Sequence, residues 1–154
     1  MKKHSSIILL VFFLLTLAGC SKTANTGTAV SSEPNKWGIT LEAENITSLG
    51  LTIVCSQSGG ENTAQLLTGS YYIIEKLEKS QWVAIPYVPQ EFDVSWTMEA
   101  WAIPKNSTTP WDVNWEWLYG NLSAGQYRIG KEIMNFRDTG DYDTEMVYAA
   151  FVIH

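Results

Sequence analysis

The chain has few of the residues on which most catalytic sites depend. Its 154 residues include only two histidines and two cysteines. One histidine, His4, lies close to the amino terminus, and the other, His154, is the last residue. Without an interior histidine, the chain cannot assemble a Ser-His-Asp or Cys-His nucleophile system or a histidine-based zinc site. The sequence therefore argues against the commonest catalytic designs.

Positive charge is also scarce. Ten lysine and arginine residues stand against sixteen acidic residues, which gives a formal net charge of −6. A chain this acidic lacks the basic surface that nucleic acids require, and it has no basic patch to hold anionic lipid. Nucleic acid is therefore excluded as a partner, and any attachment to a membrane must come from a lipid.

No apolar run is long enough to span a membrane. Residues 7–18 form a run of twelve residues, which as a helix measures about 18 Å against the ~30 Å of a bilayer's hydrocarbon core. Lys2 and Lys3 precede the run, and Leu17-Ala18-Gly19-Cys20 ends it. Basic residues, then apolar residues, then small residues are typical of a secretory signal peptide. The sequence predicts a signal peptide over residues 1–19.

The ending Leu17-Ala18-Gly19-Cys20 resembles the bacterial lipobox. This resemblance implies cleavage before Cys20, diacylglycerol on its thiol, and attachment to the extracytoplasmic face of the cell membrane. The alternative is an ordinary signal peptide that contains a free cysteine. Residues 20–36 then form the lipidated cysteine and a tether without aromatic residues, which buries too little apolar surface to order itself.

From residue 37 onward, short alternating apolar runs separated by turn residues indicate strands. The predicted strands cover residues 37–43, 49–55, 71–77, 81–87, 111–119, 126–133 and 145–153. Residues 91–103 are either a further strand or a long loop, and an acidic loop joins the last two strands. About seven short strands without a convincing helix predict one all-β domain over residues 37–154, an immunoglobulin-like antiparallel β-sandwich.

One motif supports this fold. Leu122, Gly125 and Tyr127 resemble the tyrosine corner of immunoglobulin-type sandwiches, in which the phenol hydroxyl bonds to backbone a few residues upstream. Ile129 stands where antibody-type domains carry their second cysteine, and Cys55 stands where they carry the first. Alternation places both inward, so they are predicted to pack against each other. Cys55 is then a buried apolar residue, with a reactive thiol as the alternative.

Several longer stretches resemble bacterial Ig-like domains of small lipoproteins from Gram-positive bacteria. They are residues 71–78, 82–83, 85–87, 115–120 and 125–132, and the resemblance extends over nearly the whole domain. It implies the sandwich fold and a location in the cell envelope. It supplies neither catalytic residues nor a cofactor.

Seven tryptophans follow the predicted tether. Trp115 and Trp117 fall on the inward face of a predicted strand and are expected in the core or at its edge. Trp96, Trp101 and Trp111 lie where alternation is lost. These three are the candidate binding surface, a partly exposed platform for a sugar, a peptide or another protein. The alternative is that they cover one end of the sandwich beneath a long loop.

Two acidic features raise the question of other chemistry. The run over residues 138–145 could serve a hard cation, but it lacks the order of an EF-hand loop and is better interpreted as a solvated turn. Asp93, Glu99 and Glu116 would act as glycosidase acids only if two carboxyl groups faced each other across a cleft. No metal or cofactor is therefore predicted.

The sequence thus predicts a membrane-anchored lipoprotein that is not an enzyme. Its domain would be a binding module for an envelope protein or a glycan. A sensory or inhibitory accessory protein of a membrane sensor or peptidase is the alternative. A small hydrolase is a third interpretation, opposed by the missing interior histidine. Fold alone does not choose among them.

Overall fold

A computed structural model describes residues 28–30, 32–61 and 63–154. The predicted signal peptide, the lipidation site Cys20 and the first part of the tether lie outside these residues. The described elements are β1 (Thr28–Val30), β2 (Ile39–Glu44), β3 (Gly50–Gln57), β4 (Gln65–Thr68), β5 (Ile73–Glu78), β6 (Gln81–Ala84), β7 (Trp101–Ile103), β8 (Ser107–Asn114), α1 (Glu116–Tyr119), β9 (Gly125–Asp138) and β10 (Asp141–Ile153). Across the described part of the chain, no helix has the length and apolar character to cross a membrane.

The strands form two antiparallel sheets. The larger sheet has the order β1-β10-β9-β4-β7, with β5 also paired to β9 and β6 paired to β5. The smaller sheet has the order β2-β3-β8. One hydrophobic core draws its residues from both sheets. The predicted all-β sandwich is confirmed, although it holds more strands than the sequence indicated.

Alternation explains why these segments are strands. In β2, Ile39, Leu41 and Ala43 are buried whereas Glu42 and Glu44 are exposed. Side chains along a strand point to opposite faces, so this pattern buries one face against the other sheet and leaves the other face in water. The same alternation in β3 and β9 supplies the facing halves of the core.

Cys55 and Ile129 occupy these facing halves. Cys55 lies on β3 of the smaller sheet, Ile129 lies on β9 of the larger sheet, and both are completely buried in the shared core. Burial raises the pKa of the Cys55 thiol to about 12. The thiol therefore stays protonated at neutral pH, whereas the thiolate is the reactive form. Direct packing of the two residues stays a prediction.

The start of β9 has the geometry of a tyrosine corner. The Tyr127 hydroxyl donates a hydrogen bond of 2.8 Å to the carbonyl oxygen of Ser123. Leu122 is buried beside it, and its N–H donates to the carbonyl oxygen of Ser48 at 3.0 Å. Gly125 is the first residue of the strand. These bonds fix the turn that leads into the longest strand of the fold.

Replacing Tyr127 with phenylalanine should lower the free energy of unfolding by about 0.5–1.5 kcal/mol, because the ring stays and one buried hydrogen bond is lost. Urea unfolding measures the change. Tyr142→Phe is the matched control, because this tyrosine is exposed. Equal stabilities of the two variants would contradict a structural role for the Tyr127 hydroxyl.

The predicted strand over residues 111–119 is wrong in its second half. β8 ends at Asn114, and α1 then turns the chain. The Asn114 side-chain oxygen accepts the Glu116 N–H at 3.0 Å, which supports the turn. Helical spacing then places Trp115 in the core as expected but leaves Trp117 53% exposed. The prediction that Trp117 lies in the core or at its edge is therefore wrong.

The amino-terminal tether also differs from its prediction. Within residues 20–36, Thr28–Val30 form β1, which pairs with β10 in the register Thr28↔Val152. All three side chains of β1 are exposed. Edge pairing of the backbone orders this segment without burying apolar side chains, so composition gave no sign of it.

Two further segments were misassigned. The acidic loop is much shorter than expected, because β9 ends at Asp138, β10 begins at Asp141, and most of the acidic run belongs to β10. Strand β4 was missed, since Gln65–Thr68 spans only four residues. The ambiguous residues 91–103 are a loop that ends in the short strand β7.

Candidate functional site

A cavity of about 630 Å³ opens at the side of the sandwich. Small-molecule sites in proteins typically measure about 300–1,000 Å³ and combine apolar walls with a few polar groups. Aromatic rings form much of this wall, and the lining residues include Tyr72, Trp96, Trp101, Trp111, Trp117 and Lys131. We call this feature the tryptophan cavity.

The tryptophan cavity lies where the pairing along β9 is interrupted. Strand β4 pairs with β9 up to Ile133, and β5 resumes the pairing at Gly130 on the same side. Between them the chain over residues 69–72 leaves the ladder. The gap falls beside Lys131, and residues of β7 and β8 at the sheet edges also line the cavity.

Four separate segments supply the four indoles. Trp101 comes from β7, Trp111 from β8, Trp117 from α1, and Trp96 from the loop before β7. The structure thus brings together the three tryptophans singled out in the sequence. It adds Trp117, which the sequence placed in the core or at its edge.

The aromatic rings support one another. Trp96 meets Tyr71 and Tyr72 edge to face, with ring centroids 5.3 and 5.0 Å apart. Its centroid is 6.5 Å from that of Trp117. Such pairs contribute about 0.5–1.5 kcal/mol beyond burial alone. The wall is therefore held in place by neighbouring rings, and Trp101 remains 38% exposed.

Lys131 is the charged group inside the tryptophan cavity. It points inward from β9 between Ile129 and Ile133 and is only 3% exposed. Its Nζ donates a hydrogen bond to the carbonyl oxygen of Gly69. Nζ lies 5.4 Å from the ring centroid of Trp101 and 5.9 Å from that of Trp111. Burial lowers the pKa of this amine to about 8.

The sequence analysis missed Lys131, although a signal was present. Tyr127, Ile129 and Ile133 share the inward face of β9, and period-two alternation places residue 131 on that same face. A lysine at an inward position of a core strand is unusual, because buried charges are costly unless paired. Within residues 28–30, 32–61 and 63–154, no carboxylate lies within 4 Å of its amine.

Two polar residues of β8, Asp112 and Asn114, also border the cavity. Asp112 accepts a hydrogen bond of 2.8 Å from the Thr52 hydroxyl through Oδ1. The Asn114 Oδ1 accepts a hydrogen bond of 3.0 Å from the Glu116 N–H. Asp112 Oδ2 and Asn114 Nδ2 make no hydrogen bond within the described part of the chain. Both residues are exposed and alternate along β8 with Trp111 and Val113, so their side chains lie on the face of the strand opposite to Trp111.

The carboxylates proposed for other chemistry lie elsewhere. Asp112 is the single carboxylate among the described lining residues, whereas glycosidase chemistry uses a pair. Arg137 forms ion pairs of 2.7 Å with Asp141 and with Asp143. The pairing holds the pKa of Asp143 below its usual value. Among the described residues, no three His, Cys, Asp or Glu side chains cluster in a way that could hold a metal ion.

Replacing Lys131 with methionine should raise the free energy of unfolding at pH 7. The depressed pKa of about 8 means that folding disfavours the charged amine, and a depression of this size corresponds to about 1–3 kcal/mol. Methionine keeps the length of the side chain and carries no charge. Urea unfolding measures the gain, with Lys79→Met on the exposed turn after β5 as the matched control.

The pH dependence of stability gives a second readout. Above pH 8 the folded chain releases a proton that the unfolded chain holds to about pH 10.5, so the free energy of unfolding rises with pH. Above pH 9 the buried Cys55 thiol acts in the opposite direction. We expect a rise of about 1 kcal/mol between pH 8 and 9 in the native chain. An equal rise in Lys131→Met would contradict this assignment.

Comparison with known proteins agrees with this architecture. The family model for the bacterial Ig-like domain matches residues 33–150, a range that includes strands β2 to β9, most of β10 and all residues of the tryptophan cavity. No curated protein and no solved structure matches the chain. The match covers well over half of the sequence, and the two antiparallel sheets fit it. The chain therefore belongs to the family of bacterial Ig-like domains.

Proposed function

We propose that this chain is a lipid-anchored protein of the cell envelope whose Ig-like domain binds a ligand in the tryptophan cavity without transforming it. One observation carries the proposal. Four indoles from four separate segments converge on a single cavity that also contains a buried lysine, whose amine has no carboxylate partner among the described residues. Cavities with aromatic walls and a few polar groups are the usual form of ligand sites.

The wall is unlike an ordinary sandwich surface. Trp101 and Trp117 are exposed, and Trp96 and Trp111 are only partly buried. Contact between water and this much adjoining aromatic surface is unfavourable. A ligand that covers the surface would remove this contact, which favours binding. Tryptophan is also the residue type most enriched where truncation costs the most binding energy.

The same groups give little support to catalysis. The cavity lining includes one carboxylate and no histidine, and Cys55 is buried with a protonated thiol. Among the lining residues, burial lowers the pKa of Lys131 to about 8 and raises the pKa of the Tyr72 hydroxyl to about 12. A buried amine that binds an anionic group requires no further catalytic residue, so we favour a binding role.

Attachment through Cys20 is tested by Cys20→Ser. The variant should lose labelling by a fatty-acid analogue and keep its uncut signal peptide, because the thiol is the acceptor of the lipid. Mass spectrometry of the membrane fraction measures both. Cys55→Ala, the matched control, should remain labelled, and continued labelling of Cys20→Ser would overturn the anchor.

Binding at the tryptophan cavity is tested in intact cells with the native lipidated chain. A photoreactive phenylalanine analogue at position 117 lies in the cavity wall, and irradiation should join it to the bound ligand. Recovery of a glycan would support the binding module as stated. Recovery of one membrane sensor or peptidase would favour the accessory-protein alternative. Equal recovery with the analogue at position 82, which does not line the cavity, would contradict the cavity as the site.

A further inference from the structure

The Lys131 amine makes one hydrogen bond, to the Gly69 carbonyl oxygen, and no ion pair with a described carboxylate. Its neighbours along the inward face of β9, Ile129 and Ile133, are fully buried apolar residues. An apolar residue at this position would continue the core without the cost of a buried charge. The amine is therefore kept at a cost in stability, which is the usual sign of a functional group.

The amine also has unused bonding capacity. An ammonium group carries three donors, and the structure assigns one of them to the Gly69 carbonyl oxygen. The rings of Trp101 and Trp111 add weak attraction at 5.4 and 5.9 Å. No described carboxylate neutralises the charge. An anionic group that enters the cavity would supply the missing partner.

The edges of the cavity disfavour a peptide strand as the occupant. β8 is an edge strand, but it contains Pro110, which lines the cavity and has no N–H to donate. β7 has three residues and is followed directly by Pro104. A peptide added to either edge would therefore lack a regular ladder of hydrogen bonds.

The lining suits a compact polar ring instead. Indole faces carry negative partial charge and attract the positive C–H groups on one side of a pyranose. The lining residues Ser70 and Tyr72 carry hydroxyl groups that can form hydrogen bonds with ring hydroxyls. Lys131 offers the charge. The three features together require a ring with an apolar face, hydroxyl groups and an acid.

From these features we infer that the tryptophan cavity binds an acidic sugar, with its carboxylate paired to Lys131 and its ring stacked on Trp101 or Trp111. The inference rests on the proposed function, because it names the ligand class of that same cavity. It makes Lys131 the residue that distinguishes acidic from neutral sugars, while the indoles serve both.

Isothermal titration of the full-length protein in detergent micelles tests the inference with two matched probes. Methyl β-D-glucuronide and methyl β-D-glucoside differ only at the carbon that carries the carboxylate. The glucuronide should bind at least tenfold more tightly, as expected for a charge-assisted hydrogen bond in a protected site. Lys131→Met should remove the preference. Lys131→Gln should also remove it, and this second variant covers the case in which methionine alters the packing.

A proton readout separates a direct contact from an indirect effect. A carboxylate beside Lys131 stabilises the charged amine, so glucuronide binding near pH 8 should take up a proton. Titrations in buffers of different ionisation enthalpy measure this uptake. Binding of the neutral glucoside should show none.

The possible results separate the inference from the proposed function. Equal affinity for both sugars, or a preference that survives in Lys131→Met, would overturn the pairing with Lys131. Tighter binding of N-acetyl-glutamate amide than of the glucuronide would assign the site to an acidic peptide instead. Absence of binding by any probe would overturn the assignment of an acidic sugar as the ligand. Whether the cavity is a binding site is tested separately, by crosslinking at position 117.

Discussion

Replacing Trp115 with alanine should lower the free energy of unfolding by about 3–5 kcal/mol, the usual cost of truncating a large buried aromatic side chain. Trp115 is 0% exposed, and its ring stacks on Phe151 with centroids 5.7 Å apart. Its indole N–H donates to the carbonyl oxygen of Ser48 at 3.0 Å. Truncation would leave a cavity in the core and remove one of the two hydrogen bonds that the Ser48 carbonyl oxygen accepts, the other being from the Leu122 N–H. Urea unfolding followed by circular dichroism measures the loss.

Trp117→Ala is the matched control for this prediction. The two tryptophans are two residues apart, yet Trp117 is 53% exposed at the rim of the tryptophan cavity. Its truncation should lower the free energy of unfolding by only about 1 kcal/mol, because it removes the contact with Trp96 but leaves no cavity in the core. Similar losses for both variants would contradict the turn of helix after β8 and favour the continuous strand that the sequence predicted.

The largest expected effect on binding comes from the paired substitution Trp101→Ala and Trp111→Ala. The centroids of these two rings lie 5.4 and 5.9 Å from Lys131 Nζ, and the rings come from different sheets. Their removal should weaken ligand binding at least tenfold, because each truncation of a central aromatic contact costs about 2 kcal/mol or more. Photocrosslinking at position 117 and titration with methyl β-D-glucuronide both measure the loss.

Trp82→Ala provides the control for that loss. Trp82 is half-buried on β6, where the Arg128 guanidinium lies 4.8 Å from its ring centroid, and it does not line the tryptophan cavity. The Trp82→Ala variant should leave ligand binding unchanged. Unchanged binding in the paired variant, with a native unfolding curve, would exclude the tryptophan cavity as the site.

The general fold could be predicted because its signal is local. Alternation in β2, β3 and β9 depends on a period of two along single segments, and burial follows that period. The turn before Tyr127 is equally local, since the hydroxyl reaches only four residues back to Ser123. Strand β1 escaped prediction because backbone pairing with β10, and not its exposed side chains, orders it. Strand β4 escaped because four residues are too few to show alternation.

The candidate site could be predicted only in part. Trp96, Trp101 and Trp111 stood out because they interrupt regular alternation, but their convergence depends on the gap between β4 and β5 along β9. The Trp117 side chain points outward because the chain forms a helical turn after Asn114. Lys131 was visible in principle as an inward lysine of β9, yet its lack of a partner appears only when both sheets are assembled.

Stability and binding are coupled through Lys131. The buried amine weakens the folded state at neutral pH, and a ligand carboxylate would return that free energy on binding. Lys131→Met should therefore yield a more stable chain that binds acidic sugars more weakly. A single substitution that moves the two properties in opposite directions is difficult to explain by structural damage.

The indole N–H signals of the seven tryptophans in a ¹H–¹⁵N spectrum test the cavity most directly. Titration of the full-length protein with methyl β-D-glucuronide should shift the signals of the four tryptophans in the cavity wall, Trp96, Trp101, Trp111 and Trp117. The signals of the remaining three, Trp37, Trp82 and Trp115, should stay in place. Shifts confined to those three, or no shift at saturating sugar, would contradict an acidic-sugar site in the tryptophan cavity.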